Sequence, residues 1–126
     1  MSSKPSKNRK RHYSKELHLI GKEFSVHLSK ELAKELGRRS LEVRKGDTVK
    51  LVRGGEKYVG KQGKIAEVNR KKRQVLIEGL VRKKLDGTER MVPFRPSNLI
   101  IMAIDDKDDR RLKGKKAVKK MEKVTA

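Results

Sequence analysis

Cysteine and tryptophan are absent from this chain, and only two tyrosines, two phenylalanines and three prolines are present. Without cysteine there are no disulfides and no thiolate zinc sites. Aromatic residues make up 3% of the chain, too few for a single-strand binder that works by stacking bases on a sheet face. Long apolar runs are missing as well. The longest, Leu99 to Ile104, falls far short of the roughly 18 residues of a membrane-spanning helix, so no membrane insertion is expected. The first twelve residues are polar and cationic with no apolar stretch behind them, and no secretory signal is read there. Acidic residues are scarce: 16 Asp and Glu stand against 36 Lys and Arg, for a net charge of +20 on 126 residues. The hydrophobic fraction, 33%, supports one modest core and disfavours a deep enzyme pocket. These balances describe a soluble intracellular protein whose partner is a polyanion.

The charge is spread along the whole chain, with net values of +7 over residues 1–40, +9 over 41–104 and +4 over 105–126. The apolar residues concentrate in 41–104, which reads as a small β-barrel domain between a basic N-terminal extension (1–40) and a charged C-terminal helix and tail (105–126). The fold class expected is mainly β, a small SH3-like barrel with a short N-terminal helix, a C-terminal helix and basic extended tails. Strands are expected at Thr48–Val52, Gly63–Val68, Gln74–Glu78, Val81–Leu85, Thr88–Val92 and Asn98–Ile101. The Asp86–Gly87 pair marks a hairpin turn, and Pro93 and Pro96 interrupt pairing. Ser29 caps a helix over Lys30–Leu36, which Gly37 ends in a left-handed conformation. The first dozen residues and the tail Lys113 to Lys123 have no apolar content with which to fold and are expected to order only against a partner's counter-charge. Asp105–Asp109 reads as the acidic first turn of a last helix.

Catalytic and metal chemistry find no support. His12, His18 and His27 all lie in the first 27 residues, away from the core, and no Ser or Thr has a recognisable partner base. The segment Gly55-Glu-Lys-Tyr-Val-Gly60-Lys61 matches a phosphate loop up to its final hydroxyl, which here is Gln62, and a strand rather than a helix follows. Asp105–Asp109 also fails as a calcium loop, because Arg110 and Arg111 occupy positions that need a ligand and a glycine. No enzyme activity, cofactor, metal or small-molecule substrate is expected.

Three cationic loops remain. Arg53, Lys57, Lys61 and Lys64 surround Tyr58 in a glycine-rich loop, where Tyr58 either stacks on a base or packs on the barrel end. Arg70, Lys71, Lys72 and Arg73 form the next turn, and Arg82, Lys83 and Lys84 lie on the following hairpin. Arg38 and Arg39 follow the short helix. With a basic segment at each end, this pattern points to phosphate binding that is dominated by backbone and shape, as on folded RNA.

Val43 to Val68, including Gly46-Asp47 and Gly60-Lys61-Gln62-Gly63, resembles a KOW motif, the RNA-binding element of several SH3-like barrels. The flanks His27-Leu-Ser-Lys-Glu-Leu32, Arg39 to Asp47, Gly87-Thr-Glu89 and Pro93-Phe-Arg-Pro-Ser-Asn-Leu99 resemble the large-subunit ribosomal protein L twenty-four family of archaea and eukaryotes, called L twenty-six in eukaryotes. The resemblance covers roughly residues 4 to 112. It implies a structural constituent of the large subunit that binds large-subunit rRNA early in assembly near the exit tunnel, beside neighbouring ribosomal proteins. It also implies a cytoplasmic ribosomal location, with nucleolar passage if the source is eukaryotic. By the same resemblance Arg53 to Lys64, Arg95-Pro96-Ser97 and the stretch Lys4, Lys7, Arg9, Lys10, Arg11 and Tyr13 face RNA. Where the family often has His, this chain has Arg95, which keeps a phosphate donor. Two alternatives share the KOW element: a transcription elongation factor, which usually carries a mixed α/β domain ahead of it, and a transient ribosome assembly factor.

Overall fold

The computed structural model describes residues 2–105 and 110–112. The tail from Lys113 and most of the acidic turn expected at Asp105–Asp109 lie outside the described residues. Helix α1 spans Pro5–Ser14 and α2 Leu17–Ile20, the latter running into a 3₁₀ turn Gly21–Phe24. Strand β1 (Ser25–Leu28), helix α3 (Lys30–Leu36) and strands β2 (Ser40–Glu42) and β3 (Thr48–Leu51) follow. Next come β4 (Gln62–Asn69), β5 (Gln74–Lys83), β6 (Glu89–Phe94), a 3₁₀ turn Pro96–Asn98 and β7 (Leu99–Ala103).

The α3 reading holds at both ends: the Ser29 hydroxyl accepts the Leu32 N–H at 3.4 Å, and Gly37 closes the helix at φ 60°. The expected strand segments are present, except that Gln74–Glu78 and Val81–Leu85 join through Gly79 and Leu80 into the single strand β5, which meets β6 across the Asp86–Gly87 turn. Among the described residues the strands form one sheet in the order β2-β1-β7-β3-β4-β5-β6, in which only β1 and β7 pair in parallel. Alternation along Ser25–Leu28 and Thr48–Leu51 buries Val26, Leu28, Val49 and Leu51 while their neighbours face outward. These four meet Ile65, Val75, Ile77, Leu99 and Ile101 in a single core. Fully burying one such side chain is worth about 1.5–3 kcal/mol.

Three features depart from the sequence reading. The fold is the expected mainly β, SH3-like one, but among the described residues its ladder stays open, with β2 and β6 as edges, instead of closing into a barrel. Residues 20–28 are not merely an extension: Ile20, Phe24, Val26 and Leu28 enter the core, and β1 joins the sheet between β2 and β7. The strands β1 and β2 are four and three residues long, too short for periodicity to reveal. Finally, the basic N-terminal stretch is helical at Pro5–Ser14 rather than extended. It buries no side chain; Lys and Arg are good helix formers and Pro5 suits a first turn, so the backbone winds without an apolar face.

Candidate nucleic-acid interface

The glycine-rich loop between β3 and β4 is closed at its base by Leu51 N–H to the Lys61 carbonyl (3.0 Å) and Gly60 N–H to the Leu51 carbonyl (2.8 Å). Its N-terminal side is tied to a distant segment: the Val52 and Arg53 N–H groups both donate to the Asn98 carbonyl, at 2.9 and 3.4 Å. This bond pair sets Arg53 beside the turn that carries Arg95 and Ser97, more than forty residues further along the chain. Arg53, Lys57, Lys61, Lys64, Arg95 and Ser97 are all exposed. Tyr58 is half-buried and packs edge-to-face on Phe94, ring centroids 5.7 Å apart, with the Lys61 ammonium 5.6 Å from its centroid. Packing therefore occupies Tyr58 in this arrangement. The loop leads into a strand at Gln62, not the helix a nucleotide phosphate loop requires.

Two glycines fix the loop for different reasons. Gly60 sits at φ +84° in open space, a left-handed turn position. A Cβ on Gly63 would lie 2.6 Å from Ile77 Cγ2 and 2.8 Å from the Glu78 carbonyl, so β4 and β5 approach too closely there for any side chain.

The strand directions place the second cationic cluster at the far end of β4, about 25 Å away at 3.3 Å per residue. Here the turn Arg70–Arg73 meets α1. Arg70, Lys71 and Lys72 are exposed, and the Asn69 side chain accepts the Lys72 N–H at 3.1 Å. Arg73 behaves differently. At φ 54° its guanidinium turns inward to pair with Glu23 and donates to the His12 carbonyl at 2.5 Å. Glu23 also receives Lys15 at 2.6 Å. The Lys15 hydrogen bond foremost, then Arg73, holds the Glu23 carboxyl below its usual range. These contacts anchor the end of α1 at the turn, so Lys4, Lys7, Arg9, Lys10, Arg11 and Tyr13, all exposed, belong to the same cluster as Arg70–Lys72. Lys15 and Glu23 gave no sequence signal beyond being isolated charges.

The hairpin of β5 and β6 emerges at the glycine-loop end of the sheet and exposes Arg82, Lys83 and Lys84. Its tip is closed by Asp86, whose carboxylate accepts the Thr88 hydroxyl at 2.7 Å and the Thr88 N–H at 3.1 Å. The Thr88 hydroxyl, chiefly, lowers the Asp86 pKa. Arg39 is exposed, whereas Arg38 donates to the Arg111 carbonyl at 3.1 Å. Arg111 is itself buried and grips Asp47 through two bonds of 2.5 and 2.8 Å. Asp47 is wholly buried and also accepts the Arg44 and Asp105 N–H groups. Sequence reasoning missed this clasp because nothing local links residues 47 and 111.

Among the described residues no group of His, Asp or Glu is arranged to hold a metal, and none of the exposed cations Arg53, Lys57, Lys61, Lys64, Arg70, Lys71 or Lys72 has an acidic partner. Among the described residues the surface thus carries unneutralised cations, able to donate hydrogen bonds to phosphate, at both ends of the sheet.

A family described as the ribosomal proteins L twenty-six of eukaryotes and L twenty-four of archaea matches residues 2–116. Relatives named large ribosomal subunit protein uL24 include one from Korarchaeum cryptofilum, 43% identical over 120 residues, covering 94% of this chain and 90% of the relative. The Sulfolobus acidocaldarius protein is 44% identical over 121 residues, 96% of this chain and 89% of its own. That of Methanosphaera stadtmanae is 43% identical over 111 residues, 88% and 93% of the two chains.

Proposed function

Because the chain belongs to the family of eukaryotic L twenty-six and archaeal L twenty-four ribosomal proteins, a structural rather than enzymatic family of the large subunit, we propose that it builds that subunit by binding large-subunit rRNA through its two cationic clusters. The observation that carries this reading is the pinning of the glycine loop to the Pro96–Asn98 turn by Asn98. It brings the loop that carries Arg53, Lys57 and Lys61, which leads into the strand that carries Lys64, beside the turn that carries Arg95 and Ser97, and a loop already held by backbone bonds costs less entropy to order on RNA. The α1 cluster, with Arg70–Lys72, is a second anchor some distance away. Together they bridge RNA segments, which suits a protein that joins early in assembly, and the position near the exit tunnel follows the family. Neighbouring large-subunit proteins are the expected protein contacts. The division into extension (1–40), barrel (41–104) and tail (105–126) is part of the same proposal, with the first segment supplying β1 and core residues.

Sedimentation of a native lysate in low and then high salt, with the protein followed by immunoblot, tests this directly. Co-migration with large subunits that survives high salt is the expected result. Loss in high salt, or presence only on immature particles, indicates a transient assembly factor. Migration with RNA polymerase indicates an elongation factor.

A further inference from the structure

Where β5 and β6 project beyond the rest of the sheet, their register sets Val81 opposite Met91, Arg82 opposite Arg90 and Lys83 opposite Glu89. Side chains alternate between faces, so Arg82 and Arg90 stand together on one face while Val81, Lys83, Glu89 and Met91 share the other. Directly opposed residues bring their Cβ atoms within about 4.5–5.5 Å, and like charges at that spacing destabilise a hairpin. Both arginines are exposed, and neither has an acidic partner among the described residues. One rung away, Lys83 and Glu89 oppose each other with complementary charges. The hairpin therefore tolerates at Arg82 and Arg90 a repulsion that it avoids at the next pair.

An anion between the two guanidiniums removes that repulsion. Each planar fork donates parallel bonds to phosphate oxygens, and two forks on neighbouring strands converge on one group. We infer that Arg82 and Arg90 form a clamp for a single backbone phosphate of RNA. This rests on the rRNA-binding reading above and adds Arg90 to it, a residue outside the hairpin's Arg82–Lys84 charge run. The competing role is an edge charge that keeps β6 from pairing with other chains. Either sign of charge serves that role, whereas only a cation serves the clamp.

The test uses the full chain and an in vitro transcript of large-subunit rRNA, with filter binding over a KCl series. Arg82→Gln and Arg90→Gln are each expected to flatten the slope of log affinity against log salt by about 0.7–0.9, the value for one phosphate. The double variant is expected to lose no more than either single one, because the two share that phosphate. Arg90→Glu creates an opposite-charge pair with Arg82; it is expected to hold or raise the melting temperature at low salt while weakening binding. Slopes unchanged in the single variants, losses that add in the double variant, or full binding by Arg90→Glu each overturn the clamp. If the unaltered chain binds the transcript with no salt dependence, the rRNA reading itself fails; normal binding by the unaltered chain together with unaffected variants sinks the clamp alone.

Discussion

Gly63 and Gly60 look alike in the sequence and are constrained by unrelated physics. A methyl group at Gly63 meets backbone at 2.8 Å, so Gly63→Ala forces β4 from β5 and is expected to cost about 1–3 kcal/mol as overpacking does. Gly60→Ala meets no atom but must hold φ +84°, a strain of about 1–2 kcal/mol. Thermal unfolding of the two variants, read beside RNA affinity, separates them: Gly63→Ala lowers the melting temperature throughout the sheet, whereas Gly60→Ala acts mainly on the loop that presents Lys57 and Lys61. The larger single-residue effect belongs to Arg111. Its removal leaves Asp47, wholly buried, without its cationic partner, and Arg111→Ala is expected to destabilise the fold by about 3–5 kcal/mol in denaturant titrations. The loop glycines were legible because turns and close approaches leave local marks. The Asp47–Arg111 pair was not, since its partners stand 64 positions apart and no pattern in the intervening chain joins them.

Among the elements, α3 was readable from its cap, its Leu32 and Leu36 face and its terminal glycine, all of which act within one turn. The strand β1 was not, because four residues with two polar positions present no run long enough to distinguish from loop. Helix α1 illustrates a third case. Its charges were visible, but its helical winding depends on backbone propensity and on the attachment of its end to Arg73. That attachment divides the β4–β5 turn by role. Replacing Arg70, Lys71 and Lys72 by Ser is expected to flatten the salt dependence of RNA binding with the melting temperature unchanged. Arg73→Ser is expected instead to loosen α1, seen as faster amide exchange in residues 12–23. The same anchor carries a pH dependence through Glu23. Its folded pKa is depressed, so the stability it lends is complete above the unfolded value near 4.3 and is lost as pH falls through the lower folded value. Backbone chemical shifts at residues 12, 15, 23 and 73 are expected to move together in that acidic window, and Glu23→Gln is expected to abolish the step.

For the molecule as a whole, composition spoke most clearly about the partner. A net charge of +20 with no segment neutral already implied a polyanion on several sides, and the structure distributes exposed cations to both ends of the sheet accordingly. The strand content of the middle segment was legible for the same reason, being a run of short apolar stretches set off by turns. The open order of the sheet was not, because which edges pair is decided by contacts far apart in the chain. The parallel pairing of β1 with β7 has a consequence in time. His27 and Leu28 wait for Ile100 and Ile101, so the first strand to leave a translating ribosome can pair early with β2 but is among the last to gain its second neighbour. At roughly 5–20 residues per second, the 73 residues added after Leu28 to reach Ile101 take about 4–15 s to make. For that interval the nascent chain is a polycation whose β1 still lacks its β7 neighbour, and the sheet that presents the cationic clusters is completed only when synthesis is nearly finished.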